Sequence, residues 1–113
     1  MLPPELPPED RRLVPRRLAR QGVQVACRTG TLGLGQNIAL ALVDISEVGL
    51  RLAVKSALAK GQEIEIELLA PGKSRPLKLL AEVIWCSTAE DDSHWVGAEF
   101  RHHLSYAEIQ DFI

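Results

Sequence analysis

Aromatic residues make up only 4% of this 113-residue chain, so its core must be assembled from Leu, Ile, Val and Ala. Cysteine is almost as scarce. Cys27 and Cys86 are too few for the disulfide framework of a small secreted domain, and a reducing cytoplasm is the expected setting. No apolar run approaches the roughly 20 residues of a membrane helix. Met1-Leu2-Pro3-Pro4-Glu5 has neither the basic nor the hydrophobic region of a signal peptide, so membrane insertion is not expected. An excess of positive charge is also lacking. A formal net charge of -2 argues against a generally nucleic-acid-binding surface. Paired carboxylates, a nucleophile beside a base and a metal triad are all missing from the pattern, which argues against an enzyme and against a bound cofactor.

The length allows one domain with one core. Residues 1–10 contain Pro3, Pro4, Pro7 and Pro8 among Glu5, Glu9 and Asp10, which reads as a flexible tail. Next comes an Arg-rich arm over residues 11–22. Six of the nine arginines lie between Arg11 and Arg28, and Pro15 discourages a helix through Val14. From residue 23 to 101 the period is two. Val23, Val25 and Cys27 mark a first strand, and Gly30, Gly33 and Gly35 punctuate a loop. Residues 38–45 are apolar on both faces, as in a strand buried within a closed sheet. Leu50, Leu52 and Val54 mark the next strand. Ile64, Ile66 and Leu68 alternate with Glu63, Glu65 and Glu67, a half-buried strand with a wet glutamate face. Leu79, Ala81, Val83 and Trp85, then Val96, Ala98 and Phe100, complete six strands. In residues 104–113, Ser105 and Glu108 have the spacing of a capping box for a short C-terminal helix. The pattern predicts an all-β domain, a small six-stranded antiparallel β-barrel or sandwich.

Two clusters carry the chemistry. The first is Arg11, Arg12 and Arg16 with Arg17 and Arg20, since guanidinium groups fork onto phosphates and read guanine edges. Taken alone, such a run is more often solvated charge. The second is Asp44-Ile45-Ser46-Glu47-Val48-Gly49. Asp44 and Ser46, two apart in a strand, are expected to project together on the face of Leu40 and Leu42. An ionised aspartate accepts the N1–H and N2–H donors of guanine, and a serine hydroxyl donates or accepts beside it. Gly49 allows a positive φ or a close backbone approach. The plainer alternative is a β-turn in which Asp44 or Ser46 bonds the local backbone. Other residues point less clearly. Trp85 could stack on a base but reads better as core, and Trp95 is open. His94, His102 and His103 with Cys27 and Cys86 match no zinc spacing.

The order of the two clusters, Arg-Arg-x-x-x-Arg before the first strand and Asp-x-Ser-x-x-Gly between two strands, resembles the PilZ family of cyclic di-GMP receptors. The strand Val96-Gly97-Ala98-Glu99-Phe100 and the Leu104-Ser105 start of a terminal helix extend the resemblance over nearly the whole chain. It implies a split-barrel fold and cyclic di-GMP as ligand. Arg12 and Arg16 match the paired arginines that hold phosphates and stack on guanine, with Arg11 extending the basic run. Asp44 and Ser46 match the guanine-contacting pair, and Gly49 the turn glycine. Arg16 and Arg20 also fit the arginine spacing; Arg12 and Arg16 are preferred because they leave a short segment before the first strand. The implied role is a relay to a downstream protein by ordering of the Arg arm when ligand binds. A protein-interaction module that binds no nucleotide is the alternative, followed by a nucleic-acid-binding barrel. Edge strands also offer a route to a homodimer.

Overall fold

Period-two alternation, tight turns and one capping box account for most of the elements. The computed structural model describes residues 16–30, 32 and 34–113. In them the chain forms β1 (Arg17–Leu18), β2 (Gln24–Thr29), β3 (Ala39–Ile45), β4 (Gly49–Val54), β5 (Glu63–Leu69), β6 (Leu77–Thr88) and β7 (His94–Phe100). Helix α1 (Tyr106–Ile109) and a 3-10 turn (Gln110–Phe112) follow. The proposed tail, residues 1–10, and the arm up to residue 15 lie outside the described residues.

The strands make one antiparallel sheet in the order β1-β3-β4-β7-β6-β5-β2. It curls because its far strand β2 meets the beginning of β3. The Asn37 carboxamide oxygen accepts from the amides of Cys27 and Ala39, both at 2.9 Å, and the Ile38 amide donates to the Cys27 carbonyl at 2.8 Å. The result is a half-barrel filled from its concave side. Leu50, Leu52 and Val54 of β4, Ile64, Ile66 and Leu68 of β5, and Val96 and Ala98 of β7 all face inward and are buried. Full burial of each of the larger side chains is worth about 1.5–3 kcal/mol.

The last turn closes the core. The Ser105 hydroxyl accepts from the Glu108 amide at 3.1 Å, and the Glu108 carboxylate accepts from the Ser105 amide at 2.9 Å. This is the reciprocal capping expected from the spacing, and it makes up for the marginal stability of a helix of one turn. Leu104, Ile109 and Phe112 are thereby buried against the strands.

Four expectations change. The sheet has seven strands rather than six, because Arg17 and Leu18 of the Arg-rich arm pair with Ile45 and Asp44 as an edge strand. Residues 38–45 are not apolar-buried on both faces, since Leu40 is 50% exposed. The glutamate face of β5 is ion-paired rather than simply wet: Glu67 meets Arg28 at 3.4 Å and Lys78 at 3.7 Å, and Glu63 meets Arg101.

The fourth change bears on function. β3 carries bulges at Leu40 and Val43 opposite β4, and β6 carries one at Ile84 opposite β7. Each extra residue reverses the faces of everything beyond it. Leu42 therefore pairs with buried Leu52, while Asp44 pairs with Arg51 on the outer face. Likewise Val83 pairs with Ala98 of the core, while Trp85 pairs with Gly97 on the outside. Asp44 does not share the face of Leu42, and Trp85 is not a core residue.

Candidate functional site: a row of side chains across the outer face

The bulges bring one cross-strand row together. Leu18 of β1 pairs with Asp44 of β3, Asp44 with Arg51 of β4, Arg51 with Gly97 of β7, and Gly97 with Trp85 of β6. Directly opposed residues on adjacent strands share a face and lie about 4.5–5.5 Å apart at Cβ. Asp44, Arg51 and Trp85 thus lie in one row on the outer face although 41 positions separate the first from the last.

Asp44 is only 2% exposed, and its charge is met by arginine on two sides. The Arg51 Nε donates to Oδ2 at 2.7 Å, and Nη2 donates to the same oxygen. The other oxygen, Oδ1, lies 4.0 Å from Arg16 Nη1 and accepts no hydrogen bond among the described residues. A buried carboxylate needs such cations, because taking it from water unpaired costs several kcal/mol. Its remaining capacity to accept is concentrated in Oδ1.

Ser46 does not stand beside Asp44 as a second free contact. Its hydroxyl oxygen accepts from the amides of Val48 at 3.2 Å and Gly49 at 3.3 Å. The hydroxyl is also within 3.4 Å of the Gly49 carbonyl, to which the Ser46 amide donates at 2.8 Å. Ser46 therefore closes the β3–β4 turn, the local role weighed as the alternative. That turn sets the register: counting outward from it pairs Ile45 with Leu50 and Asp44 with Arg51. Gly49 is needed for close approach and not for a positive φ, since a Cβ there would overlap the Ala98 carbonyl oxygen of β7. The turn is also tied to the closing segment, because Glu47 and Val48 carbonyls accept from Leu104 at 2.7 Å and Phe100 at 2.8 Å.

The described arginines of the arm diverge. Arg16 faces Asp44. Arg17 lies over the Tyr106 ring, 5.7 Å from its centroid. Arg20 is directed to the C-terminal turn, donating through Nε to the Ile113 carbonyl at 3.2 Å and through Nη2 to that of Gln110 at 3.4 Å. Its amide also donates to Phe112. Arg11 and Arg12 lie outside the described residues.

On the far side of Arg51 the row turns flat and apolar. A Cβ on Gly97 would overlap the Trp85 indole, so only glycine lets that ring lie down on the sheet. The buried Trp85 Nε1 meets no acceptor among the described residues. The recess bounded by Arg16, Gly49, Ile84, Gly97 and Glu99 holds only about 10 Å³. A ligand would lie across this face and not inside it.

The fold agrees with the family to which the sequence points. The family model of the PilZ domain matches residues 10–113. The chain belongs to the PilZ domain family. None of the curated proteins compared with it matches the chain. PilZ domains are in general receptor modules for cyclic di-GMP and not enzymes. In this PilZ domain Asp44, Ser46 and Gly49 come together at the β3–β4 turn, and Arg16, the residue just before the edge strand, faces Asp44.

One residue of the site was not singled out from the sequence, and one arginine that was singled out lies elsewhere. Arg51 read as one polar position of an alternating strand, although the turn length alone would have placed it opposite Asp44. Arg20 read as a possible partner of Arg16, and no sequence signal shows its tie to the C-terminal carbonyls. Elsewhere, Trp95 lines an open cleft of about 540 Å³ with Leu40, Ala53 and Asp91. His94, His102, His103, Cys27 and Cys86 do not gather into a three-ligand group among the described residues. No helix among those residues is long and apolar enough to cross a membrane.

Proposed function

We propose that this PilZ domain binds cyclic di-GMP across the row from Arg16 to Trp85 and passes the signal to a partner protein. The observation that carries this reading is the Asp44 carboxylate. It is buried and fixed through one oxygen, while the other faces Arg16 and accepts no hydrogen bond among the described residues. A guanine edge supplies the N1–H and N2–H donors such an oxygen accepts, and Arg16 supplies charge for a phosphate of the same ligand. In this reading Arg12 and Arg11 join Arg16 on the phosphates. The engagement of Arg20 with the C-terminal carbonyls supports Arg12/Arg16 over Arg16/Arg20 as the working pair. Ser46 and Gly49 act by holding the turn, and Trp85 offers a flat surface beside Arg51 for a second ring.

Each charge-assisted bond to arginine contributes roughly 1.5–3 kcal/mol, offset in part by the entropy of ordering the chain that delivers it. We narrow the expected ordering of the whole arm on binding to its first residues. Arg17 and Leu18 already pair with β3, and the Ala19 amide donates to the Val43 carbonyl at 3.1 Å. The ligand-driven step we propose is the drawing of Arg11 and Arg12 onto the phosphates, with β1 as the fixed base from which they reach. Two unpaired thiols, Cys27 and Cys86, support a reducing setting such as the cytoplasm.

The alternative of a protein-interaction module is favoured by one observation, that Asp44 is already satisfied in part by Arg51. Isothermal titration calorimetry separates the two. Cyclic di-GMP is titrated into the wild type, Arg16→Ala and Asp44→Ala, with GTP and cyclic di-AMP as controls. Micromolar or tighter binding that Arg16→Ala abolishes and Asp44→Ala weakens to a still measurable level is the expected result. Absence of heat with every nucleotide would leave the interaction module as the reading.

A further inference from the structure

Resting on the cyclic di-GMP reading, we infer that Arg51 is a positioning residue that sets guanine selectivity by holding Asp44 through one oxygen only. Arg51 and Asp44 are directly opposed on β4 and β3, in a register fixed by the Ser46–Gly49 turn. The guanidinium does not fork over both carboxylate oxygens. Its Nε and Nη2 converge on Oδ2. The plane of the carboxylate is thereby set, and Oδ1 is presented toward Arg16 without a hydrogen bond among the described residues. An ionised carboxylate oxygen accepts and cannot donate. Held at one angle, it discriminates a base edge that carries N–H donors from one that carries an acceptor at the same place. Guanine has N1–H there, whereas adenine has an unprotonated N1.

The surroundings leave Arg51 little else to do. Its partner on β7 is Gly97, which has no side chain to compete for the guanidinium. The side chain is mostly covered, and beyond Gly97 lies the Trp85 ring. A supporting residue of this kind fixes the contacting group to within a fraction of an ångström, which is what separates a selective site from a loose one. Because both contacts go to a single oxygen, a lysine ammonium, itself a point donor, can stand in for the guanidinium here.

The test measures dissociation constants for cyclic di-GMP and cyclic di-AMP on folded wild type, Arg51→Gln, Arg51→Lys, Asp44→Ala and the Asp44→Ala/Arg51→Gln double variant. Arg51→Gln is expected to weaken cyclic di-GMP by about 10-fold and to narrow its preference over cyclic di-AMP by a similar factor, the size of coupling usual for residues in direct contact. Arg51→Lys should return both to within about 3-fold of wild type, a rescue that a purely structural role does not predict. In the Asp44→Ala background the glutamine substitution should cost nothing more, because Arg51 acts only through Asp44. Arg51→Gln equal to wild type in affinity and preference would overturn this role. So would a full further loss in the Asp44→Ala background, which would mean that Arg51 touches the ligand itself. A wild type that binds no cyclic dinucleotide overturns the functional reading along with it, whereas a binding wild type with an indifferent Arg51 overturns this inference alone.

Discussion

Replacing Ser46 with alanine asks whether a residue at the centre of the binding motif serves the ligand or the turn. Ser46 is 1% exposed, and its hydroxyl oxygen accepts from the Val48 and Gly49 amides at 3.2 and 3.3 Å. Alanine keeps the Ser46 amide bond to the Gly49 carbonyl but leaves those two N–H groups without their acceptor. A buried donor left unmade costs roughly 1–3 kcal/mol. Both bonds are longer than the 2.9–3.0 Å optimum, which places each toward the lower part of that range. The sum is about 2 kcal/mol. For a domain near 100 residues, that lowers the midpoint of thermal unfolding by about 10 °C. Urea unfolding should show a lower midpoint at an unchanged slope, since the surface exposed on unfolding is the same. Cyclic di-GMP affinity should fall in step, because the turn sets the register that places Asp44 opposite Arg51. Stability within about 0.5 kcal/mol of wild type, together with lost binding, would refute the turn role and show Ser46 acting on the ligand.

Three further outcomes follow from the described residues. Arg20→Ala removes two bonds to the carbonyls of Gln110 and Ile113. It should destabilise the domain by about 0.5–1.5 kcal/mol and speed amide exchange in residues 106–112, with cyclic di-GMP affinity within about 2-fold of wild type; calorimetry showing binding abolished, as in Arg16→Ala, would instead make Arg16 and Arg20 the ligand pair. Burial pushes the Cys27 thiol from 9.0 up to about 11, against a smaller lowering by Arg28. The folded state then keeps a proton that the unfolded state gives up between those values. Stability from this group is full below pH 9 and declines as pH rises toward 11. Urea midpoints across that range check the sign, with Cys27→Ser as the control that should flatten this part of the decline. At pH 8 a thiol reagent should modify half-buried Cys86 and spare Cys27 until the protein unfolds.

Much of the frame was legible from local pattern, because the forces that shape it act between near neighbours. Ile64, Ile66 and Leu68 alternating with glutamates describe β5 whatever lies beside it, and that strand is buried on the expected face. Ser105 and Glu108 cap α1 through bonds spanning three residues. The Asp44–Gly49 segment contains its own turn, with Ser46 as the closing acceptor. The paired partners of the site belong to a different order of information. A bulge is a mismatch between two strands, so the residue left over at Val43 or Ile84 is decided by the register with β4 or β7. It leaves no trace in a period-two count. Those bulges turned Asp44 and Trp85 to the outer face, away from the sides on which alternation alone had placed them. β1 is held by backbone hydrogen bonds to β3, which carry no side-chain pattern to read. Arg20 found acceptors at the other end of the chain, because closing the half-barrel brought the last carbonyls to the edge strand. The sequence by itself determined the residue types of the proposed guanine site and the strands that carry them. Tertiary structure decided which face they share and that Trp85 lies beyond Arg51 in the same row, since cross-strand register is a property of two segments at once.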